Sequence, residues 1–208
     1  MDIKQNLVSV GKRGIKCPYA LHPKYITIHN TANDASAANE IKYMISNLKT
    51  VSFHVAVDDK EAVQGIPFDR NAWHSGDGSN GAGNRKSLAI EICYSKSGGA
   101  RFNKAYENAI ELTAQLMKQF NIPASNIMYH KNWSTKNCPH RLLQMGVTVE
   151  KFRELAQAKY NELYNKKDTN KSNVTYQVVT GSFKDKTNAE NRVKELKAKG
   201  FESFIQAK

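Results

Sequence analysis

The stretch Leu88-Ala89-Ile90-Glu91-Ile92-Cys93 limits the possible folds more than any other part of this chain. A near-continuous apolar run of this length reads as a strand buried on both faces, in the middle of a sheet. One carboxylate, Glu91, interrupts the run. A buried acid without a partner is costly. Glu91 therefore faces solvent, pairs with a cation or works in a site.

The flanking segments supply the rest of an α/β domain. Tyr25-Ile26-Thr27-Ile28-His29 is β-branched and apolar, a second buried strand, and it opens onto the polar stretch Asn30 to Asp34. Asp34 and Ser36 can cap a helix whose apolar face is Ile41, Met44, Ile45 and Leu48. Phe53 to Val57 reads as a strand, Asp58-Asp59-Lys60 as a hairpin turn and Ala62 to Pro67 as the return strand. Lys104 to Phe120 is an amphipathic helix, ended by Asn121-Ile122-Pro123. Ile127-Met128-Tyr129 reads as a strand end. Thr148 caps a third helix that buries Phe152, Leu155, Ala156, Tyr160 and Leu163. Residues 1–24 look irregular. The expected fold is α/β, a mixed central β-sheet flanked by helices over residues 1–164.

Asn165 to Asn173 lacks any apolar residue and reads as a linker. Residues 174–208 then show a small βαβ pattern: strand Tyr176 to Phe183, helix Asn188 to Lys199 with Gly200 past its end, strand Phe201 to Ile205. At 208 residues the chain has room for one sizeable domain and one small one.

Net charge is +12, from 31 Lys+Arg against 19 Asp+Glu, and this favours a polyanionic partner. No nucleic-acid-binding motif accompanies the charge, so no nucleic-acid partner is expected; an anionic cell-wall polymer fits equally well. The three cysteines, Cys17, Cys93 and Cys138, argue against a disulfide framework. No window approaches a membrane span and the first residues lack an apolar signal core. Synthesis in the cytoplasm without a signal peptide is expected.

The chemistry concentrates in Tyr129 to Arg141. His130 and Cys138 stand there with seven residues between them, in a segment too rich in Asn, Ser, Thr and Pro for a helix. Imidazole and thiolate are the ligand types that zinc prefers. A ligand at a strand end and another on the following loop can converge on one ion. His29, at the end of its own strand, is the third; taken alone it reads equally as a structural histidine. Two His and one Cys leave a fourth position for water, as in catalytic zinc sites. Glu91 is then placed to move that water's proton and Lys136 to stabilise an oxyanion, which makes metal-assisted amide hydrolysis the reaction class. Residues 71–84 form a Gly-rich loop with Trp73 and His74, flexible and suited to carrying binding residues.

Four motifs together, Thr27-Ile28-His29-Asn30-Thr31, Trp73-His74-Ser75-Gly76-Asp77-Gly78, Ile90-Glu91-Ile92 and His130-Lys131 with Lys136-Asn137-Cys138-Pro139, closely resemble the zinc-dependent N-acetylmuramoyl-L-alanine amidases of the type-2 family. The likeness runs over roughly residues 20–160 and is nearest in character to endolysins of Gram-positive phages and prophages. The resemblance implies zinc (Zn2+) bound by His29, His130 and Cys138, with Glu91 as acid/base and Lys136 stabilising the transition state. It also implies a glycopeptide groove formed by His74 and Trp73, with His54 and Asn30 beside it. The implied substrate is the amide between N-acetylmuramic acid and L-alanine in bacterial peptidoglycan. Some members carry a catalytic Tyr where this chain has Phe53; Phe cannot donate a proton, so the work falls to Glu91. Non-catalytic recognition relatives, the alternative reading, typically lack the Cys ligand. His140 is left as a structural residue.

The tail resembles one half of a SPOR-type peptidoglycan-binding module, on Tyr176 to Phe183, Asn188-Ala189-Glu190 and Lys199-Gly200-Phe201. About 35 residues is small for an independent core, so pairing of residues 174–208 with a second copy, giving a homodimer, is expected. The lack of an apolar signal core favours action on the cell wall after release through a holin-type membrane lesion or lysis.

Overall fold

The computed structural model describes residues 1–165 and 180–206. The chain divides into two compact units, Met1–Lys166 and Lys167–Lys208. The first unit contains strands β1 (Ile3–Gln5), β2 (Tyr25–Asn30), β3 (Val55–Val57), β4 (Ala62–Gln64), β5 (Ser87–Ile92) and β6 (Ile127–Tyr129). Its helices are α1 (Arg13–Lys16), α2 (Ala37–Ser46), α3 (Ala82–Lys86), α4 (Gly99–Phe120), α5 (His140–Gln144) and α6 (Val149–Tyr164).

The strands form one mixed sheet in the order β1-β4-β3-β5-β2-β6. β3 and β4 are an antiparallel hairpin, and every other neighbouring pair is parallel. β5 lies inside the sheet, with Leu88, Ala89, Ile90 and Ile92 completely buried, as a two-sided apolar run requires. Parallel neighbours need crossover connections, which the helices supply while covering the sheet. α4 packs with α6, where the ring centres of Tyr106 and Phe152 lie 5.9 Å apart.

Local rules place the helix ends. Ser36 caps α2 by accepting from Asn39 N–H, and Thr148 caps α6 by accepting from Lys151 N–H. Asn121 ends α4 in the left-handed conformation.

The structure differs from the sequence reading in four places. α2 stops at Ser46, so Leu48 lies beyond the helix and is exposed, as is Leu163 in the last turn of α6. The N-terminal segment read as irregular contributes β1, which is too short and polar to show a strand pattern, and which pairs with β4. The loop 71–84 is packed at its start, where Asn71, Ala72 and Ser75 are completely buried, and exposed at Gly76 and at residues 78–80.

The fourth difference is the second unit. Its helix, α7 (Lys186–Ala198), is present, capped by the Asp185 side chain and followed by Gly200 at φ +83°. It buries no residue. The flanking residues 180–183 and 201–206 form no strand, and residues 176–179 lie outside the described residues. Of the βαβ pattern, the helix alone is therefore present among the described residues. Extended segments without a neighbouring strand make no ladder.

Candidate metal centre and hydrolytic site

In open α/β sheets, ligands bind in the crevice beyond the carboxyl ends of the parallel strands. His29 on β2 stands in register with Glu91 on β5, and Ala56 on β3 flanks Glu91 on the other side. On the far side of β2, Tyr129, the last residue of β6, pairs with Ile28. His130 follows directly. Three adjacent strands thus deliver His29, Glu91 and His130 to one end of the sheet.

Cys138 reaches the same point because its loop is closed. A 3-10 turn over His130–Asn132 reverses the chain, with Tyr129 N–H donating to Asn132 Oδ1 at 2.7 Å. Lys131 N–H donates to the Cys138 carbonyl at 3.0 Å. Trp133 pins the loop to β2: its Nε1–H donates to Thr27 Oγ1 at 2.9 Å, and its ring meets Tyr25 edge-on. The Cys138–Pro139 peptide is cis.

His29 Nδ1 lies 3.0 Å from His130 Nδ1 and 3.7 Å from Cys138 Sγ. Two nitrogens about 2.05 Å, and a sulfur about 2.3 Å, from one tetrahedral zinc stand roughly 3.3 Å (N···N) and 3.6 Å (N···S) apart. The observed spacings fit a shared ion. All three ligand atoms lie within 4.8 Å of one another, and this is the one such group among the described residues. The three side chains are buried, and burial keeps each neutral in the absence of an ion. It holds His29 well below its ordinary value, helped by His74, His130 and Lys136. It brings His130 down to about 4, with Lys136 adding to the effect. It pushes the Cys138 thiol up to about 12, reinforced by Glu91 and opposed by the Asn30 N–H and Lys136. A cation at this point favours the thiolate and neutral imidazoles, which are the forms that ligate.

The loop 71–84 backs these ligands. His74 Nδ1 lies 3.0 Å from His29 Nε2, so the nitrogen of His29 facing away from the ligand cluster is held by a second imidazole. The Ser75 carbonyl acts on the His130 ring. The loop is itself fixed by Asn84 Oδ1, which accepts from the backbone N–H groups of His74 and Ser75. Two glycines make this packing possible. Gly76 adopts φ +71°, and a Cβ on Gly83 would stand 2.4 Å from Ser75 Oγ and 2.9 Å from Trp133 Cδ2.

A cavity of about 250 Å3 opens over the cluster, lined among others by Phe53, Glu91, Lys136 and His140. Glu91 Oε2 is enclosed without a hydrogen-bond partner. Burial first and Glu40 second raise the Glu91 carboxyl, against the opposing Lys136, to about 8. Lys136 is exposed at the mouth.

Other residues expected at the site are placed differently. His54 is completely buried, with Nδ1 accepting from Ala89 N–H and Nε2 facing the Arg70 carbonyl, so both ring nitrogens serve the backbone. Trp73 does not line the cavity; its Nε1–H donates to the Ile15 carbonyl and its ring packs on Tyr19. Asn30 does line it, but its side chain is committed: Oδ1 accepts from Arg141 N–H, and Nδ2 donates to the Thr31 carbonyl and contacts His140 Nδ1. The sequence reading missed Glu40, a second acid on the cavity wall. Its signal was an acid on the stripe Ala37, Ile41, Met44 that α2 buries.

The family model described as N-acetylmuramoyl-L-alanine amidase matches residues 19–141, more than half of the chain. The chain belongs to the N-acetylmuramoyl-L-alanine amidase family. The ligand cluster, Glu91 and the loop 71–84 all lie within the matched residues, and the flanking helix α6 does not. Among amidases of Bacillus subtilis (strain 168), CwlA is 48% identical over 187 residues, covering 90% of this chain and 68% of CwlA. XlyB is 58% identical over 146 residues, covering 70% of this chain but only 46% of XlyB. Among solved structures, PlyL is 55% identical with a TM-score of 0.72, over 74% of this chain and 97% of that one. The PlyG catalytic domain is 54% identical with a TM-score of 0.73, over 77% of this chain and 96% of that one.

A SPOR domain model matches residues 149–207 of this amidase. The match starts ahead of the boundary at residue 174 read from the sequence. It includes α6, whose Phe152 and Ala156 are buried in the first unit. No helix among the described residues is long and apolar enough to cross a membrane.

Proposed function

We propose that this chain cuts bacterial peptidoglycan at the amide between the lactyl group of N-acetylmuramic acid and L-alanine, with water activated by a zinc ion on His29, His130 and Cys138. The convergence of these three donors beside Glu91, at the carboxyl ends of the strands, carries the reading. When bound, zinc supplies a water with a pKa near 7 and an electrophile for the carbonyl oxygen.

The chain's own residues do the rest. Glu91 takes the proton that water gives up and delivers it to the leaving nitrogen. Burial and Glu40 hold the Glu91 carboxyl high in the metal-free site, and a cation on the neighbouring donors would draw it back towards the carboxylate, the form that accepts the proton. Lys136, at the mouth, faces the oxygen on which negative charge develops. Phe53 adds no proton donor and keeps that wall dry. His74 and the Ser75 carbonyl hold the two imidazoles in their ligating orientation.

The domains divide accordingly, with residues 1–164 cutting, 165–173 linking and 174–208 holding the wall. The +12 charge suits an anionic wall. An endolysin that reaches the wall after release from the cytoplasm is consistent with these features. A homodimer through residues 174–208 accounts for the exposed Phe201, Phe204 and Ile205. The alternative, a recognition protein that binds without cutting, has no observation behind it, since Cys138 completes the donor set.

Digestion of purified walls with metal stripped and restored tests the reading. It should release new N-terminal L-alanine, create no new reducing ends and stop with chelator. Reducing sugars in place of free alanine would make the enzyme a glycosidase.

A further inference from the structure

Helix α2 buries Ala37, Ile41 and Met44 against the β3–β4 hairpin, and Glu40 lies on the same stripe. An apolar side chain would serve packing at that position. Glu40 is instead 9% exposed, lines the cavity, and has Oε1 enclosed by protein without a hydrogen-bond partner. Among the described residues it forms no ion pair. Burying a carboxylate without a donor is unfavourable unless a ligand brings the donor. Glu40 is also close enough to Glu91 to be the strongest charge acting on it, ahead of Lys136. Two acids therefore line the same cavity, each with one oxygen enclosed without a partner.

We propose that Glu40 is the receptor for the amino group that hydrolysis creates on the peptide side of the substrate. The inference rests on the amidase reading, which brings the scissile nitrogen within reach of Glu91 and hence near Glu40. In the reaction the C–N bond breaks and the water oxygen joins the lactyl carbon. Both water protons end on nitrogen, leaving a carboxylate and an ammonium. The substrate nitrogen offers one N–H, whereas the product offers three and a positive charge. Glu40 consequently binds the amine product more strongly than the amide, and its role is in product affinity and in placing the peptide.

The test is calorimetric binding of L-alanine amide and N-acetyl-L-alanine amide to the metal-loaded full chain, with inhibition of wall digestion by each as a second readout. Wild type should bind the free amine at least tenfold more tightly than the acetylated form. Glu40→Gln should erase that preference while still releasing N-terminal alanine from walls. Should Glu40→Gln fail to fold, Glu40→Met takes its place with the same expected loss of preference, and absence of a preference in wild type refutes the proposal in either case. A preference that survives Glu40→Gln also refutes it, and assigns the amine to the metal or to Glu91. If wild type releases no N-terminal alanine from walls, the amidase reading itself has failed, an outcome separable from failure of Glu40.

Discussion

The two walls of the cavity are built on opposite principles. On the ligand wall, the protein provides partners around the donors: His74 backs His29, the Ser75 carbonyl faces His130, and the Asn30 N–H faces Cys138. On the acid wall, Glu91 Oε2 and Glu40 Oε1 have no partner at all. The first wall is organised before anything binds, as the proposed zinc site requires, because metal ligation tolerates little angular error. The second is left with unsatisfied acceptors, which suits groups whose proton or hydrogen-bond partner arrives with the substrate.

The comparison is broken most directly by deleting a donor. His29→Ala leaves two ligands and should lose stoichiometric zinc and more than about a thousandfold in wall lysis; metal analysis alongside turbidity loss checks both. On the acid wall, Glu91→Gln should keep zinc and lose about 10²–10⁴ in turnover. A Glu91→Gln enzyme with full activity would refute the acid/base role.

A smaller effect separates backing from ligation. His74→Ala leaves all three donors in place but removes the partner of His29 Nε2. Zinc affinity should fall roughly 10–100-fold, with activity restored by excess metal. Competition with a chromogenic chelator reads this directly; unchanged affinity would mean that the imidazole pair is only packing.

The smallest effect concerns stability in the metal-free protein. The Glu91 carboxyl sits at about 8 in the fold against 4.5 as its ordinary value. A raised pKa favours the fold below 4.5, and that contribution is lost as pH rises through 8. The stability difference between wild type and Glu91→Gln should therefore move against wild type between pH 5 and pH 8.5. Allowing for solvent in the cavity, the change is about 2 kcal/mol. Urea denaturation at the two pH values measures it. A difference independent of pH would contradict the burial of this acid.

How much was legible in the sequence follows the range of the interactions. The strand Leu88 to Ile92, the long helix α4 and the capped helices α2 and α6 are written in local patterns that the tertiary structure has no reason to override. The exposed Leu48 and Leu163 show where periodicity outruns the helix or its neighbours. The tail shows a different limit. Residues 201–206, read as holding a strand, form none among the described residues, and a strand exists only with a partner, which a local pattern does not supply.

The sequence by itself determined the donor types, the acid on a central strand and the family to which these motifs point. That is possible because strand ends, Asn/Ser/Thr-rich loops and ligand chemistry are properties of short segments. Only the tertiary structure decided which residues face one another. It moved Trp73 and His54 into backbone contacts, gave His74, which lines the cavity as expected, a second place as the support of His29, and brought Glu40 from a packing helix to the side of Glu91. These outcomes depend on parallel strand register and on the packing of a Gly-rich loop, and both join residues tens of positions apart. Sequence spacing cannot rank such contacts, because the free energy that selects them comes from burying the whole sheet at once.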